Sequence, residues 1–254
     1  MASGPEFGFK FQLYFPNNHL TIKPFSHLNM KVEVKQTNDG SNTLFVPELN
    51  EHYHSVHGAL QEALHVFIKH GLQPALEKST EPIRLLEVGF GTGLNAILTL
   101  QTFLAQNHSV FYDTLEKYPL SEDLIKELHF ENFILNPELL DLFFKLHAAP
   151  WNETVAITPN FNLKKMYTDL ETQTFPENYY DLIYFDAFAP EKQPHLWTAT
   201  IFEKLASSLK NNGILVSYCA KGSFKRALKA AGLTVEALPG PPGKREMTRA
   251  TKTN

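Results

Sequence analysis

Apolar and polar positions change their period twice along this chain. Val32 and Val34 alternate with polar neighbours, an Asp39-Gly40 pair follows, and Thr43-Leu44-Phe45-Val46 resumes the pattern, which predicts a β-hairpin. Residues 55–72 switch to helical spacing: Leu60, Leu64, Phe67 and Ile68 share one face, and Gly71 reads as the residue that closes the helix. After Glu81-Pro82, short apolar runs alternate with helical stretches. Strands are predicted at 84–88, 109–116, 161–169, 179–185 and 213–219. Helices are predicted over 94–106, over 119–146 with a break at Asn136-Pro137, and over 197–210 and 224–231. Segments 233–238 and 247–251 close the sheet. Such alternation predicts an α/β fold, a mostly parallel, doubly wound Rossmann-like sheet with ligands at the carboxyl ends of its strands. The expected organisation is residues 1–29 as a leader or N-terminal extension, 30–80 as a hairpin and helix, and 81–254 as the ligand-binding domain. Met30 is a candidate start, because the clean pattern begins there.

Composition narrows this picture without changing it. A chain of 254 residues, 43% hydrophobic and 20% charged, is globular. No apolar run approaches the ~18–20 residues of a membrane span, and no signal peptide is read at the N-terminus. The single cysteine, Cys219, excludes an internal disulfide and a Cys-based zinc site and fits a cytoplasmic setting. Charge is uneven. Lys204, Lys210, Lys221, Lys225, Arg226, Lys229, Lys244, Arg245, Arg249 and Lys252 face only Glu236 and Glu246, so the stretch from 204 carries +8. With −4 overall, the first 203 residues carry −12. That edge reads either as a solvated face or as a polyanion-facing surface.

The strongest chemical signal is Glu87-Val-Gly89-Phe-Gly91-Thr-Gly93-Leu-Asn95, directly after a predicted strand and opening a helix. Glycines there let the backbone turn sharply and approach a ligand. A dinucleotide fingerprint needs glycine where Leu94 stands. GxGxG after an acid is instead the pattern of S-adenosyl-L-methionine (SAM) methyltransferases. SAM carries a sulfonium and a zwitterion and no pyrophosphate, so an acid near the loop is electrostatically apt. Glu116 ends the second strand, where an acid can accept both ribose hydroxyls. Asp169 ends the third and reads equally as an adenine contact or a turn cap. Asp186 ends the fourth, in Asp181-Leu-Ile-Tyr-Phe-Asp186-Ala-Phe-Ala-Pro190. A carboxylate there can orient an amine and stabilise positive charge arriving on nitrogen; the bland reading is a helix N-cap. Asp181 reads as structural. His52, His54, His57 and His65 lack a metal-binding framework, so no metal is expected. Cys219 reads as a small buried hydrophobe.

LLEVGFGTGLN (85–95), TLEKYP (114–119), YFDAFAPEKQPHLW (184–197) and LPGPPGKREMTRA (238–250) resemble the methyltransferase of tRNA 5-methylaminomethyl-2-thiouridine synthesis, as does 39–67. The resemblance covers about residues 30–252. It implies a class I SAM-dependent methyltransferase fold and methylation of the exocyclic amine of 5-aminomethyl(-2-thio)uridine at the tRNA wobble position. It also implies the anticodon loop as partner, and the stand-alone form without FAD, since no sequence is left for the family's flavin oxidase domain. Glu87, Gly89, Gly91, Gly93, Asn95, Glu116 and Asp169 would bind SAM. Asp186 would be catalytic. Phe188, Lys244, Arg245 and Glu246 would bind substrate. The chain departs from the family at Pro241-Pro242, where relatives often carry a Gly/aromatic pair. The alternatives are another small-molecule or protein methyltransferase, a spermidine-synthase-like aminopropyltransferase, for which Asp186-Ala-Phe-Ala lacks the paired acids, and a non-enzymatic RNA- or partner-binding module.

Overall fold

The structure is a computed structural model, and it describes residues 32–55, 58–79, 82–104 and 108–253. The expectations for residues 1–29, Met30 and His57 lie outside the described residues. Residues 31–254 form one compact unit.

Strands β1 (Glu33–Gln36) and β2 (Asn42–Val46) pair antiparallel, and β2 pairs with the short β3 (Glu51–His52). Gly40 takes a positive φ in the hairpin turn, as Asp-Gly predicts. The helix that follows is longer than its periodicity suggested. It runs from α1 (Ala59–Ala63) through π-helical turns at Leu64–Leu72 into α2 (Gln73–Lys78). Gly71 does not close it. A Cβ there would lie 2.9 Å from Val216 and 3.3 Å from Tyr184, so the glycine lets the helix lie directly on the sheet.

The main sheet holds β4 (Ile83–Val88), β5 (Val110–Glu116), β6 (Thr154–Thr158), β7 (Phe161–Tyr167), β8 (Tyr180–Phe185), β9 (Leu209–Ser217), β10 (Leu233–Pro239) and β11 (Glu246–Lys252). Their spatial order is β10-β11-β9-β8-β4-β5-β7-β6. The five central strands are parallel; β11 runs antiparallel between β9 and β10, and β6 is an antiparallel edge. Strand β4 (IRLLEV) is almost wholly buried, as a strand covered on both faces must be. Helices α3 (Leu94–Leu104), α4 (Glu122–Glu127), α5 (Pro137–Ala148), α6 (Ala199–Ser208) and α7 (Gly222–Ala230) connect the strands. Two cores result, one built on Tyr112, Phe143 and Tyr184, the other on Phe185, Trp197 and Phe202.

Three local differences have plain causes. The 119–146 helix breaks at Asn136, whose side chain caps α5 by accepting from Glu138 N–H at 2.9 Å, and breaks a second time at His129, which has positive φ. The third strand stops at Tyr167, so Asp169 lies in the turn beyond it. Strand β6 went unread because it is a short edge strand with exposed positions.

Candidate active site

Strand order reverses between the parallel neighbours β4 and β8: the strands after β4 build outward on one side, those after β8 on the other. A crevice opens at the carboxyl ends of such a pair. The glycine loop follows β4 and Asp186 follows β8, so the topology brings both there. Gly89, Gly91 and Gly93 all have positive φ. At Gly89 a Cβ would meet the Asp186 carbonyl oxygen at 2.7 Å, so the two loops touch backbone to backbone.

Glu116 reaches under the loop. Its Oε2 accepts Gly91 N–H at 3.1 Å and its Oε1 accepts Tyr118 N–H at 2.7 Å. Each carboxylate oxygen keeps a lone pair for a further donor. Asp169 forms an ion pair with Lys117 at 2.5 Å and accepts Glu171 N–H at 2.9 Å, so it caps its turn while standing beside the β5 end. Asn95, at the start of α3, donates Nδ2–H to Asp186 Oδ2 at 2.8 Å. The Asp186 residue is only partly covered, but its carboxyl is enclosed. Burial pushes it up to about 7, with Glu62 adding repulsion while Asn95 and Lys244 pull the other way. Asp186 is no helix cap: no helix starts directly after it, and its carboxylate accepts from the Asn95 side chain.

Glu87 sits deeper than a ligand contact would suggest, fully buried beneath the loop. Thr114 donates to its Oε2 at 2.8 Å, while Oε1, like the neighbouring Asn95 Oδ1, has no hydrogen-bond partner among the described residues. Burial raises its carboxyl to about 8. A buried acid that is neutral when folded and charged when unfolded favours the folded state most below pH ~4.5, its ordinary value. That contribution fades as pH rises through about 8. In Glu87→Gln, melting temperature therefore falls less between pH 5 and 8.5 than in the wild type, by on the order of several degrees. Parallel thermal-denaturation pH series for the two proteins check this.

Several contributors were not read in the sequence. Lys165 is buried in β7, in the same cross-strand row as Glu87 and Thr114. Its ammonium stands 4.6 Å from the Trp151 ring and donates to the His147 carbonyl at 2.5 Å, and burial lowers it to about 8. His147, held neutral by burial with a value of about 4, faces the Thr92 carbonyl at 3.1 Å and steadies the glycine loop. Tyr53 packs edge-on against Phe188 at 5.0 Å. Gln193 and Trp197 pin the Phe188 backbone through bonds at 2.9 Å each. Lys165, His147 and Tyr53 come from distant elements and carry no chemical signal of their own in the sequence, whereas Gln193 and Trp197 lie with Phe188 in the 184–197 motif.

The predicted substrate residues divide. Lys244 turns inward and forms an ion pair with buried Glu62 of α1, its ammonium 4.1 Å from the Tyr218 ring centroid. Glu246 pairs with Lys225 at 2.8 Å. Arg245 is 93% exposed. The Pro241-Pro242 departure is accommodated in the β10–β11 turn, which Gly240 N–H to Arg245 O and Lys244 N–H to Pro241 O close. Between this turn and the loop after β8 lies a cleft of about 540 Å³, lined by Ala189, Pro190, Tyr218, Cys219 and residues 244–246 among others. Cys219 is a buried thiol, and Asp181 is structural, accepting Arg84 N–H and pairing with Lys210. The basic edge is partly neutralised by acids from the rest of the chain: Lys210 by Asp181, Lys221 by Glu191, Lys244 by Glu62. His54 is half-buried, and desolvation of its ring holds it neutral at about 4. Among the described residues no group of His, Cys, Asp and Glu is arranged to hold a metal ion, and no helix is long and apolar enough to cross a membrane.

Residues 138–253 match the family described as S-adenosyl-L-methionine-dependent methyltransferase. The strand order and the glycine loop agree with that match: the fold is that of a class I SAM-dependent methyltransferase. The chain is similar to the tRNA 5-methylaminomethyl-2-thiouridine biosynthesis bifunctional protein MnmC of Cupriavidus metallidurans, 30% identical over 226 residues, 84% of this chain and 33% of that protein. The protein of the same name from Magnetococcus marinus is 30% identical over 224 residues, again 84% and 33%. The chain thus spans about a third of the length of these curated relatives. Among solved structures, MNMC2 from Aquifex aeolicus superposes with a TM-score of 0.71 at 29% identity, covering 88% of this chain and 72% of that one.

Proposed function

We propose that this chain methylates the exocyclic amine of 5-aminomethyl(-2-thio)uridine at the wobble position of tRNA, with SAM as methyl donor. The observation that carries the reading is Asp186, held by Asn95 at the carboxyl end of β8 against the glycine loop and beside the cleft. The similarity to the MnmC proteins supplies the substrate class.

The residues present fit SAM. Three positive-φ glycines shape a tight loop, Glu116 offers a carboxylate for ribose hydroxyls, and Asn95 Oδ1 is a buried acceptor without a hydrogen-bond partner among the described residues. When bound, SAM supplies a methyl group on positively charged sulfur, and an N–C bond forms as the S–C bond breaks. Gly89, Gly91, Gly93, Glu116 and Asp169 line its site, and Glu87 supports the loop from beneath. Asp186, titrating near neutrality, accepts an N–H bond from the amine and stabilises the charge arriving on nitrogen. Phe188, braced by Tyr53, walls the base's side of the site. Residues 81–254 carry the cofactor site, and 30–80 supply one wall of the substrate site.

Labelled-methyl transfer onto tRNA from cells blocked at the aminomethyl stage, followed by nucleoside analysis, tests the reading. Label in 5-methylaminomethyl(-2-thio)uridine is the expected result; its absence there rejects the proposed substrate. Glu116→Ala weakens SAM binding by ~10-fold or more, the scale of two lost charge-assisted hydrogen bonds, and leaves turnover at saturating SAM within a few-fold. Calorimetric titration with SAM decides this. We further read the exposed part of the basic edge, Arg245 first, as the phosphate-facing surface presenting the anticodon loop. Arg245→Glu raises KM for tRNA, leaves SAM affinity unchanged and makes the salt dependence of tRNA binding shallower by ~0.7 per lost phosphate contact. An unchanged salt slope would show that the RNA docks elsewhere.

A further inference from the structure

Lys244 and Glu62 are the one feature of the pocket that methyl transfer does not explain. Glu62 is 7% exposed and lies 182 residues from Lys244 in sequence. Burying a carboxylate is costly unless a cation accompanies it, and here the cation is supplied by the β10–β11 turn. Glu62 also accepts Ser55 N–H at 3.2 Å through its other oxygen. The Lys244 ammonium rests on the Tyr218 face, and the Tyr218 hydroxyl donates to the Ala187 carbonyl at 2.8 Å, one residue beyond Asp186. Both charges act on Asp186, Glu62 repelling it and Lys244 attracting it. Lys244, Tyr218 and Ala189 line the same cleft. An alkylammonium paired with a buried carboxylate and lying on an aromatic ring is therefore already present in the pocket.

We propose that Glu62 is the second acid of an amine-recognition pocket and that Lys244 is an internal stand-in for the substrate's ammonium, displaced when a primary alkylamine enters. The inference rests on the proposed methylation of a primary amine and adds how that amine is selected. An aminomethyl group is mostly protonated at neutral pH, so it enters as a cation. Exchanging it for Lys244 keeps the charge of the Glu62–Asp186 pair balanced throughout. A uridine without an amine has no charge to offer, leaves the Lys244–Glu62 pair closed and is rejected. Lys244 swings outward on displacement, toward the cleft mouth where Arg245 lies. The exchange is non-covalent; the amine gives its proton to solvent water before its lone pair receives the methyl group.

The direct test uses n-propylammonium and cofactor-free protein, and needs no turnover. Wild-type protein binds it weakly, because Lys244 fills its place. Lys244→Met keeps the stem against Tyr218 and vacates the cation position, so it binds n-propylammonium at least ~10-fold more tightly, the worth of one charge-assisted contact. The double variant Lys244→Met with Glu62→Gln loses that gain. Equal affinity in wild type and Lys244→Met, or a gain that survives in the double variant, overturns the proposal. Melting curves establish that each variant is folded, and Lys244→Gln replaces the methionine variant if that one is not. In turnover, Glu62→Gln raises KM for aminomethyl-bearing tRNA by ~10-fold with kcat within ~3-fold; a fall in kcat at unchanged KM contradicts a recognition role. If tRNA is not methylated at all but the n-propylammonium pattern holds, the proposed substrate falls and the amine pocket stands. If tRNA is methylated and the pattern fails, only the stand-in falls.

Discussion

Alanine at position 186 lowers turnover by ~10²-fold or more, the scale of one positioned polar catalytic group, while SAM affinity stays within a few-fold. The asymmetry follows from where the carboxyl points. Its recorded partner is the Asn95 amide, and its field is shared with Glu62 and Lys244 on the cleft side, away from the Glu116 end of the crevice. Removing it leaves the glycine loop and Glu116 in place and takes away the proposed acceptor for the amine's N–H. Because burial holds Asp186 at about 7, wild-type turnover rises with pH through neutrality as the carboxylate forms. Asp186→Ala loses that limb of the profile. Initial rates across pH with saturating SAM, beside a SAM titration, provide the measurement. Near-normal turnover in this variant would take Asp186 out of the mechanism.

Gly89→Ala is expected to damage both stability and catalysis. Position 89 has φ +91°, and the new Cβ would stand 2.7 Å from the Asp186 carbonyl oxygen. The obstacle is backbone, which cannot rotate aside, so the loop, the Asp186 segment or both must move. Left-handed strain alone costs ~1–2 kcal/mol, and displacing the contact adds to it. Misplacement of ~1 Å at a reacting centre is enough to cost ~10²-fold in rate. Gly232→Ala is the matched control: φ is +82°, but nothing lies within 4 Å of its Cβ. It should lose ~1 kcal/mol in a denaturant melt and keep full turnover. Equal behaviour of the two variants would mean that the 89–186 contact does not matter.

The sequence was most legible where one residue's chemistry forces one backbone outcome. A glycine triplet between a buried strand and a helix allowed little but a tight loop, and Gly89, Gly91 and Gly93 all take positive φ. Asp39-Gly40 made its turn, and Asn136-Pro137 its helix start. Gly71 misled because glycine has two uses. Its lack of a side chain served close packing on Val216, a need visible only once helix and sheet are together. Asp169 was left between two readings, and its turn and ion pair show one residue doing cap work beside the site.

Local pattern alone determined the alternation of strands and helices, the glycine loop and the acids Glu116 and Asp186 at two strand ends, because period, turn chemistry and strand termini are encoded within a few neighbouring residues. Only the tertiary structure decided the company those acids keep. Glu62 carries no signal in the sequence, and Lys244 reads there as one of ten cations on a basic edge and as a substrate residue by resemblance; folding makes the two an ion pair whose charges act on Asp186. Lys165 was one of two adjacent lysines until the sheet buried it against Trp151. Charge counted along a chain adds every residue with equal weight. In the folded protein, burial and distance set that weight, and both depend on contacts between residues far apart in sequence.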